Sequence, residues 1–276
     1  MLTLVPSHPS DGPFPRPAPD TADSLKELFS VKDRVAIVTG GSGGIGLAAA
    51  EALAEFGANV ILTYNSNPES AEKGAKEISE KFGVKAVAKK LQVDSLDANL
   101  KLVEEVKKEF GRIDIFIANA GMGGSGPIID VDEEKWRKVN GVNVDAVFYA
   151  MKAVGPVFKE QGKGSFIATT SISARIVNVP LPQATYNAGK AAVAHLCRSV
   201  AQDWRGFARV NCIAPGFFDT NMGAAPEVAD TVYRYSVFGR QGLPKELKGT
   251  FLLLASDAST YTTGVDYLVD GGYTLS

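Results

Sequence analysis

Seven short apolar segments, separated by helical patterns, constrain the fold of this chain more than any other feature. They are rich in β-branched residues, and several are apolar at almost every position, as in RVAIVTG (34–40) and NVILTYN (59–65). Strands that are buried on both faces and joined by helical crossovers form parallel sheets covered by helices. The sequence therefore predicts an α/β fold, a single doubly wound domain with roughly seven parallel strands and helices on both faces.

The remaining elements follow the same alternation. Further strands are predicted at 85–94, 113–121, 164–171, 209–216 and 265–272, and helices at 47–57, 70–83, 97–111, 134–160, 188–204 and 245–256. The first thirty residues differ, because six prolines from Pro6 to Pro19 disfavour regular structure. We predict a flexible, proline-rich arm over residues 1–30 and one α/β domain over residues 31–276.

Composition and charge exclude several classes of function. The 276-residue chain has a formal net charge of -2, which offers no strong attraction for nucleic acid or an anionic membrane. No segment approaches the roughly 20 apolar residues that cross a bilayer, and the first residues lack a secretory pattern. Cys197 and Cys212 have neither a metal-site nor a disulfide-framework spacing. We therefore expect a cytoplasmic protein that binds no nucleic acid, membrane or metal.

A glycine-rich stretch, TGGSGGIG (39–46), follows the first predicted strand and opens the first predicted helix. Glycines allow a sharp turn and a close approach of the backbone to a pyrophosphate. Free amides and the positive end of the helix dipole favour the negative charge of that group. The lysine of a P-loop is absent, so the stretch predicts dinucleotide binding rather than triphosphate hydrolysis.

The glycine spacing, TGxxxGxG, resembles the short-chain dehydrogenase/reductase family, whose motifs occur in order along residues 30–276. The resemblance implies a Rossmann fold and a set of cofactor-binding residues drawn from the glycine loop and from later motifs. These are Gly40, Ser42, Gly44, Ile45, Gly46, Asp94, Asn119, Gly121, Tyr186, Lys190, Pro215, Gly216 and Thr220. Asp94 is expected to end the third strand. Taken alone, Asp94 also fits a helix cap, and Asn119 also fits a turn.

The residues that follow the second strand predict NADP(H) rather than NAD(H). An NAD-dependent enzyme usually places a carboxylate there to bind the ribose 2′-hydroxyl. In this chain Tyr64 is followed by Asn65, Ser66 and Asn67, neutral donors that suit a 2′-phosphate, which a carboxylate would repel. Gly43, however, stands where many NADP-dependent members of the family carry an arginine.

A tyrosine and a lysine four residues apart provide candidate acid–base chemistry. Tyr186 and Lys190 share one face of a predicted helix. The ammonium is expected to lower the tyrosine pKa from its usual value of about 10. The family resemblance assigns Ser173, thirteen residues before Tyr186, to orienting a carbonyl group, with Ser171 as a local competitor. It also assigns Asn143 to a proton relay leading to Lys190, with Asn140 as an alternative.

Finer features, including VILTYNSNP and ASDASTYTTGVDYLVDGGY, resemble the fungal branch of NADP-dependent mannitol dehydrogenases, sorbose reductases and carbonyl reductases. The resemblance implies reversible reduction of a ketone to a secondary alcohol, most simply of a ketose such as sorbose, fructose or xylulose to its polyol. Asn178 and Gln183 are polar candidates for contacting a sugar. Alternatives are the reduction of bulkier prochiral ketones, suggested by Phe217, Phe218, Tyr233, Tyr235 and Phe238, reduction of ketoacyl thioesters, or a catalytically silent cofactor-binding regulatory protein.

Two further expectations come from the resemblance. The segment 217–240 is expected to form a variable substrate loop near the nicotinamide pocket. The final helix and strand resemble family surfaces used for subunit packing, which predicts a homotetramer. Enoyl reductases use a longer interval between tyrosine and lysine, so the four-residue spacing argues against that activity.

Overall fold

The computed structural model describes residues 18–124 and 126–275. Within them, seven parallel strands form one sheet in the order β3-β2-β1-β4-β5-β6-β7. The strands are β1 (Val35–Val38), β2 (Asn59–Tyr64), β3 (Ala86–Lys90), β4 (Ile115–Ala118), β5 (Ser165–Thr169), β6 (Arg209–Pro215) and β7 (Asp266–Val269). The predicted doubly wound α/β fold is confirmed.

Nine α-helices accompany the sheet in the described part of the chain. They are α1 (Leu25–Leu28), α2 (Gly44–Glu55), α3 (Pro68–Phe82), α4 (Leu96–Phe110), α5 (Glu133–Asn140), α6 (Ala146–Gln161), α7 (Ala184–Asp203), α8 (Pro226–Tyr235) and α9 (Lys248–Ala255). Within the same residues, every helix is too short or too polar to traverse a bilayer.

Side chains alternate between two cores, one on each face of the sheet. In β1, Val35 and Ile37 join the core that contains residues of α4, α6 and α7. Ala36 and Val38 point to the opposite core, which contains residues of α2, α3 and α9. This division follows from the two-residue period of a strand, and it explains why β1 is apolar at every position.

The strand order changes direction between β1 and β4. From β1 the chain proceeds outward to β2 and β3, then returns to β4 on the other side of β1. The loops that leave the carboxyl ends of β1 and β4 therefore diverge to opposite faces and leave a crevice between them. In open α/β sheets this is the place where ligands bind.

The helix predicted over 134–160 is interrupted, because a single π-helical segment covers Gly141–Asp145 between α5 and α6. Asn143 lies at the centre of this segment and is buried. Its side chain donates to the carbonyl oxygen of Met122 at 2.8 Å and accepts from the Met122 amide at 3.2 Å. These bonds hold the wider turn against the loop after β4, a tertiary contact that helical periodicity does not reveal.

The third strand is shorter than predicted. It ends at Lys90, so Asp94 lies in the loop that follows rather than at the end of β3, and that expectation was wrong. β3 is an edge strand whose partner is β2, and the pairing stops where Tyr64 meets Lys90. Without a partner beyond this point, the chain turns toward α4.

The structure describes part of the predicted arm and all of the predicted substrate loop. Residues 1–17 of the predicted arm lie outside the described residues, whereas Leu25–Leu28 form one helical turn within it. The segment predicted as a substrate loop over 217–240 contains α8. Cys197 and Cys212 are free, buried thiols.

Candidate active site

The glycine loop forms a tight cradle between β1 and α2. Gly40 and Gly44 adopt φ values of 63° and 54°, which side chains disfavour. A Cβ atom at Gly46 would overlap the carbonyl oxygen of Gly40, so the first turn of α2 packs directly on the loop. The Ser42 carbonyl accepts a hydrogen bond of 2.7 Å from Ser70 Oγ on α3, which fixes the loop from outside.

A cavity of about 970 Å³ opens over this cradle. Its walls include the loop, the end of β6 and the segment that follows β6. Predicted cofactor residues among its lining are Gly40, Ser42, Gly44, Ile45, Asn119, Gly121, Lys190, Pro215, Gly216 and Thr220. The Thr220 methyl group lies 3.3 Å from the position of a Cβ on Gly44, so this residue closes the cavity opposite the glycines. The space and the exposed backbone fit a dinucleotide pyrophosphate.

Asn119 joins the carboxyl ends of three strands beneath this cavity. Its backbone amide donates to Thr39 Oγ1 at 3.0 Å, and its Nδ2 donates to the Thr39 carbonyl at 3.1 Å. Its Oδ1 accepts from Thr169 Oγ1 at 3.1 Å. The three strands β1, β4 and β5 are thereby locked together at the floor of the crevice. Neither threonine was predicted as a site residue. Thr39 begins the TGxxxGxG pattern, but only later residues of that pattern were assigned to the cofactor, and Thr169 at the end of β5 has no distinctive sequence pattern.

A second cavity, of about 470 Å³, lies beyond the end of β2. Six of the predicted cofactor residues line it: Gly40, Ser42, Asn65, Ser66, Asp94 and Gly121. The structure therefore brings Asp94 to the cavity from its loop, although not from a strand end. Lys138 lines the same cavity from α5. It is a cation that sequence analysis did not identify, because one lysine on an exposed helix gives no functional signal.

Lys190 is withdrawn from water on α7, with 4% of its surface exposed. Its Nζ donates a hydrogen bond of 2.9 Å to the carbonyl oxygen of Thr169 at the end of β5. Burial lowers the pKa of Lys190 to about 8, an effect partly offset by the Cys212 thiol. The ammonium form thus predominates at neutral pH, but with less margin than in water.

Tyr186 lies one helical turn before Lys190, and the Lys190 Nζ is 5.6 Å from the centre of its ring. Burial raises the pKa of Tyr186, and a hydrogen bond with Ser171 offsets part of that rise. The sequence-based expectation that Lys190 lowers the pKa of Tyr186 was therefore wrong for the protein without a bound cofactor. The loss of water around the phenol outweighs the stabilisation of the phenolate by its neighbours.

Ser173 lies in a short 3-10 turn, Ile172–Ala174, that follows β5. Its backbone amide donates to Ser171 Oγ at 3.1 Å. Its own hydroxyl accepts from Asn178 Nδ2 at 2.6 Å and from Gln183 Nε2 at 3.0 Å. Ser171 contacts Tyr186 and Ser173, so both predicted serine candidates lie at the site. Asn178 and Gln183, the polar residues predicted to contact a sugar, are the two donors to the serine hydroxyl.

Asn143 and Lys190 meet at one glycine. A Cβ atom on Gly121 would lie 3.0 Å from Asn143 Oδ1 and 3.6 Å from Lys190 Nζ. The competing Asn140 instead donates from its side chain to the Trp136 carbonyl, within its own helix. The structure thus places Asn143, rather than Asn140, beside the buried lysine.

This arrangement, a dinucleotide cradle beside a tyrosine, a buried lysine and a held serine, has counterparts among known proteins. A family model described as enoyl-(acyl carrier protein) reductase matches residues 40–274. A sorbose reductase from Candida albicans is 47% identical over 273 residues, 97% of this chain and 96% of the relative. The chain belongs to the short-chain dehydrogenase/reductase family. Its predicted membership is confirmed.

Two further members of the family are similar over most of the chain. An NADP-dependent mannitol dehydrogenase from Alternaria alternata is 47% identical, covering 91% of this chain and 96% of that protein. The crystal structure of an NADPH-dependent 3-quinuclidinone reductase from Rhodotorula rubra is 53% identical with a TM-score of 0.94, and the match covers 96% of this chain and 100% of that one. The short-chain dehydrogenase/reductase fold therefore extends over nearly all of the described residues.

Proposed function

We propose that this protein is an NADP(H)-dependent oxidoreductase that interconverts a ketose and its polyol. The observation that carries the proposal is the identity of 47%, over 91–97% of the chain, with a sorbose reductase and a mannitol dehydrogenase. The site is consistent with this reaction, because Lys190 lines the cavity over the glycine loop, and Tyr186 lies one helical turn before Lys190 on α7. Ser173 follows β5, the strand whose end Lys190 contacts. Sorbose, fructose and xylulose are the proposed ketoses.

NADP(H) is the proposed cofactor on two grounds. The mannitol dehydrogenase and the quinuclidinone reductase are named as dependent on NADP and NADPH, respectively. In this chain the cavity after β2 is lined by Asn65, Ser66 and Lys138. A 2′-phosphate would find amide, hydroxyl and ammonium donors there. The pyrophosphate would lie on the glycine loop, held by Gly40, Ser42, Gly44, Ile45 and Gly46.

The acid–base chemistry follows from the two hydroxyl groups. NADPH, when bound, supplies the hydride that reduces the carbonyl carbon. Ser173 donates a hydrogen bond to the carbonyl oxygen, and Tyr186 transfers its proton to that oxygen as negative charge develops there. The raised pKa of Tyr186 keeps the phenol protonated before the reaction. In alcohol oxidation, tyrosinate takes the proton back, which requires a more alkaline medium.

Lys190 and Asn143 support this proton transfer. The ammonium of Lys190 is 5.6 Å from the centre of the Tyr186 ring, close enough to stabilise the phenolate that remains after transfer. Asn143 is held by Met122 and lies beside Lys190. We assign it to holding a water molecule through which a proton reaches Lys190 and then Tyr186.

A second candidate function, the reduction of bulkier prochiral ketones, is favoured by one observation. The 3-quinuclidinone reductase shares 53% identity with this chain, more than the sorbose reductase does. Tyr235 and Phe238, in the predicted substrate loop, are 41% and 71% exposed and could contact an apolar ketone. Phe218 packs in the core on one side and also lines the cavity over the glycine loop.

Enoyl reduction, the activity in the description of the matching family model, is not proposed. Tyr186 and Lys190 lie four residues apart, whereas enoyl reductases use a longer interval. A catalytically silent protein is also disfavoured, because Tyr186, Lys190 and Ser173 are all present and Lys190 lines the cavity over the cradle.

Steady-state assays of the purified chain test these assignments. NADPH consumption is measured with sorbose, fructose, xylulose and 3-quinuclidinone, and each assay is repeated with NADH. We expect the highest kcat/KM for a ketose and at least a roughly tenfold preference for NADPH, about 1.4 kcal/mol of discrimination. A higher kcat/KM for 3-quinuclidinone than for every ketose would support the second candidate, and turnover with none of them would contradict both.

We further propose a cytoplasmic homotetramer in which residues 1–30 form an arm on the catalytic domain, 31–276, with a substrate loop at 217–240. Apolar side chains near the chain end support a subunit interface, since Leu268 on the edge strand β7 is 37% exposed and Tyr261 before it is fully exposed. Light scattering of the full chain is expected to give four times the chain mass. A monomeric mass at the assay concentration would contradict the tetramer.

A further inference from the structure

The Ser173 hydroxyl is enclosed by two amide side chains whose function the family resemblance does not assign. Asn178 Nδ2 donates to it at 2.6 Å, and Gln183 Nε2 donates to it at 3.0 Å. Both residues belong to the segment between the turn that carries Ser173 and helix α7. Ser173 and Asn178 are each 3% exposed, and Gln183 is partly exposed.

The number of hydrogen bonds that a hydroxyl group can form determines whether Ser173 can still donate or accept. A hydroxyl group carries one proton and two acceptor lone pairs. The two amide N–H groups occupy both lone pairs, so the proton is left as the group that can bind a further partner. A ketone oxygen accepts hydrogen bonds and cannot donate them. The serine is therefore prepared as a donor before any ketone arrives.

We propose that Asn178 and Gln183 are positioning residues that fix Ser173 as a hydrogen-bond donor to the carbonyl oxygen. The inference rests on the proposed carbonyl reduction and deepens it. Both amides act through the serine, without contact with the substrate. The arrangement favours the carbonyl oxygen and the developing oxyanion, which can only accept, and pre-orders the donor that the transition state requires.

The other end of the Asn178 amide argues against a purely structural role. Its Oδ1 is buried and lacks a hydrogen-bond partner among the residues that the structure describes. An unpaired buried acceptor costs free energy, so the fold is less stable for holding the Asn178 amide in this orientation beside the serine. Its side-chain hydrogen bond in the described structure goes to Ser173.

Isosteric acid variants test the proposal, since Asn178→Asp and Gln183→Glu replace a donor by a carboxylate that accepts. The serine proton would then turn to the carboxylate and away from the substrate. We expect kcat for ketone reduction to fall at least about tenfold in each variant, with the Kd for NADPH unchanged. Activity of Asn178→Asp should recover as the pH falls, because the protonated carboxyl group donates again. The matched control Gln202→Glu, at an exposed position on α7, should keep the wild-type kcat.

A double-mutant cycle with Ser173→Ala decides whether the amides act through the serine. In the Ser173→Ala background, adding Asn178→Asp or Gln183→Glu should leave kcat unchanged. An equal loss in both backgrounds, or full activity of both single variants, would overturn the inference. Should Asn178→Asp fail to fold by circular dichroism, the partly exposed Gln183→Glu carries the same comparison. The ketone used is the one that the wild type reduces fastest, so an error in the ketose assignment leaves the cycle unaffected.

Discussion

Two cationic side chains at opposite ends of the central sheet, Arg112 at the amino end and Lys190 at the carboxyl end, have their charges compensated differently. Before β4, Arg112 forms hydrogen bonds of 2.5 and 2.8 Å with both oxygens of Asp114, whose side chain is 4% exposed. After β5, Lys190 donates to the uncharged carbonyl of Thr169. Within residues 18–124 and 126–275, Lys190 forms no ion pair with a carboxylate.

The pKa values reflect this contrast. The hydrogen bonds with Asp114 raise the pKa of Arg112, whereas burial lowers the pKa of Lys190 to about 8. A charge without a counter-ion in a site of low polarity exerts a strong effect on its neighbours. The two residues therefore differ in kind: the charge of Arg112 is neutralised by a carboxylate that also accepts from the Val35 amide of β1, whereas the charge of Lys190 has no counter-ion in the described part of the chain and is available for the proposed proton transfer.

The largest effect is expected from Tyr186→Phe, which removes the proposed acid and leaves the uncompensated lysine in place. Without a transferable proton, kcat for ketone reduction should fall by at least about 1,000-fold, or about 4 kcal/mol. The Kd for NADPH, measured by fluorescence titration, should remain close to the wild-type value. Wild-type turnover in this variant would reject the acid–base assignment and leave the positive charge at the carboxyl end without its proposed purpose.

Replacing each of the two cations by methionine tests directly whether Arg112 serves stability and Lys190 serves catalysis. Arg112→Met leaves Asp114 buried without its counter-ion, so the free energy of unfolding should fall by about 3 kcal/mol while kcat is retained. Lys190→Met removes a charge that burial disfavours, so the stability should be kept or increased while kcat falls. Chemical denaturation and steady-state kinetics on both variants supply the measurements.

Two outcomes would contradict this expectation. If Lys190→Met lowered the stability more than Arg112→Met, or if Arg112→Met lowered kcat as strongly as Lys190→Met, the two ends would not differ as described. Gln202→Met, at an exposed position, provides a control for the introduction of methionine.

The free energy of unfolding should also depend on pH through Lys190, by a somewhat smaller amount than the loss expected for Arg112→Met. The folded state releases the Lys190 proton near pH 8, whereas an unfolded chain holds it to about 10.4. Between these values the unfolded state binds more protons, so stability attributable to Lys190 should rise with pH. Relative to Lys190→Met, the wild type should gain about 2 kcal/mol between about pH 8 and 10. Denaturation curves for the pair across this range check the sign, and a constant or falling difference would contradict it.

The sequence predicted the fold well because burial on two faces leaves a direct pattern. All seven strands lie within the predicted segments, since a strand such as β1 must be apolar at every position to contact both cores. The breaks in the pattern were not predictable in this way. The π-helical turn around Asn143 depends on bonds to Met122, and the early end of β3 depends on the length of its partner strand.

The candidate site also contains some residues that sequence spacing predicts and others that depend on tertiary contacts. Tyr186, Lys190 and the glycines follow from spacing, because the geometry of one helix or one turn brings them together. The partners of the serine come from a loop of irregular structure, so the sequence identified Asn178 and Gln183 as polar candidates but did not predict their bonds to Ser173. The direction of the Tyr186 pKa shift also depends on burial, which a one-turn spacing does not measure.

A pair of glycine substitutions extends the comparison to the backbone of the carboxyl end, where the smallest effect is expected. A Cβ at Gly46 would overlap the Gly40 carbonyl oxygen, whereas a Cβ at Gly43 meets no atom within 4 Å. Gly43 has φ 178°, an extended conformation open to any residue. Gly46→Ala should therefore displace the cradle and raise the Kd for NADPH by about tenfold, or about 1.4 kcal/mol. Gly43→Ala should leave this Kd unchanged. Equal Kd values for the two variants would mean that NADPH affinity does not depend on the backbone geometry of this loop. The contribution of the carboxyl end to cofactor binding would then come from its side chains.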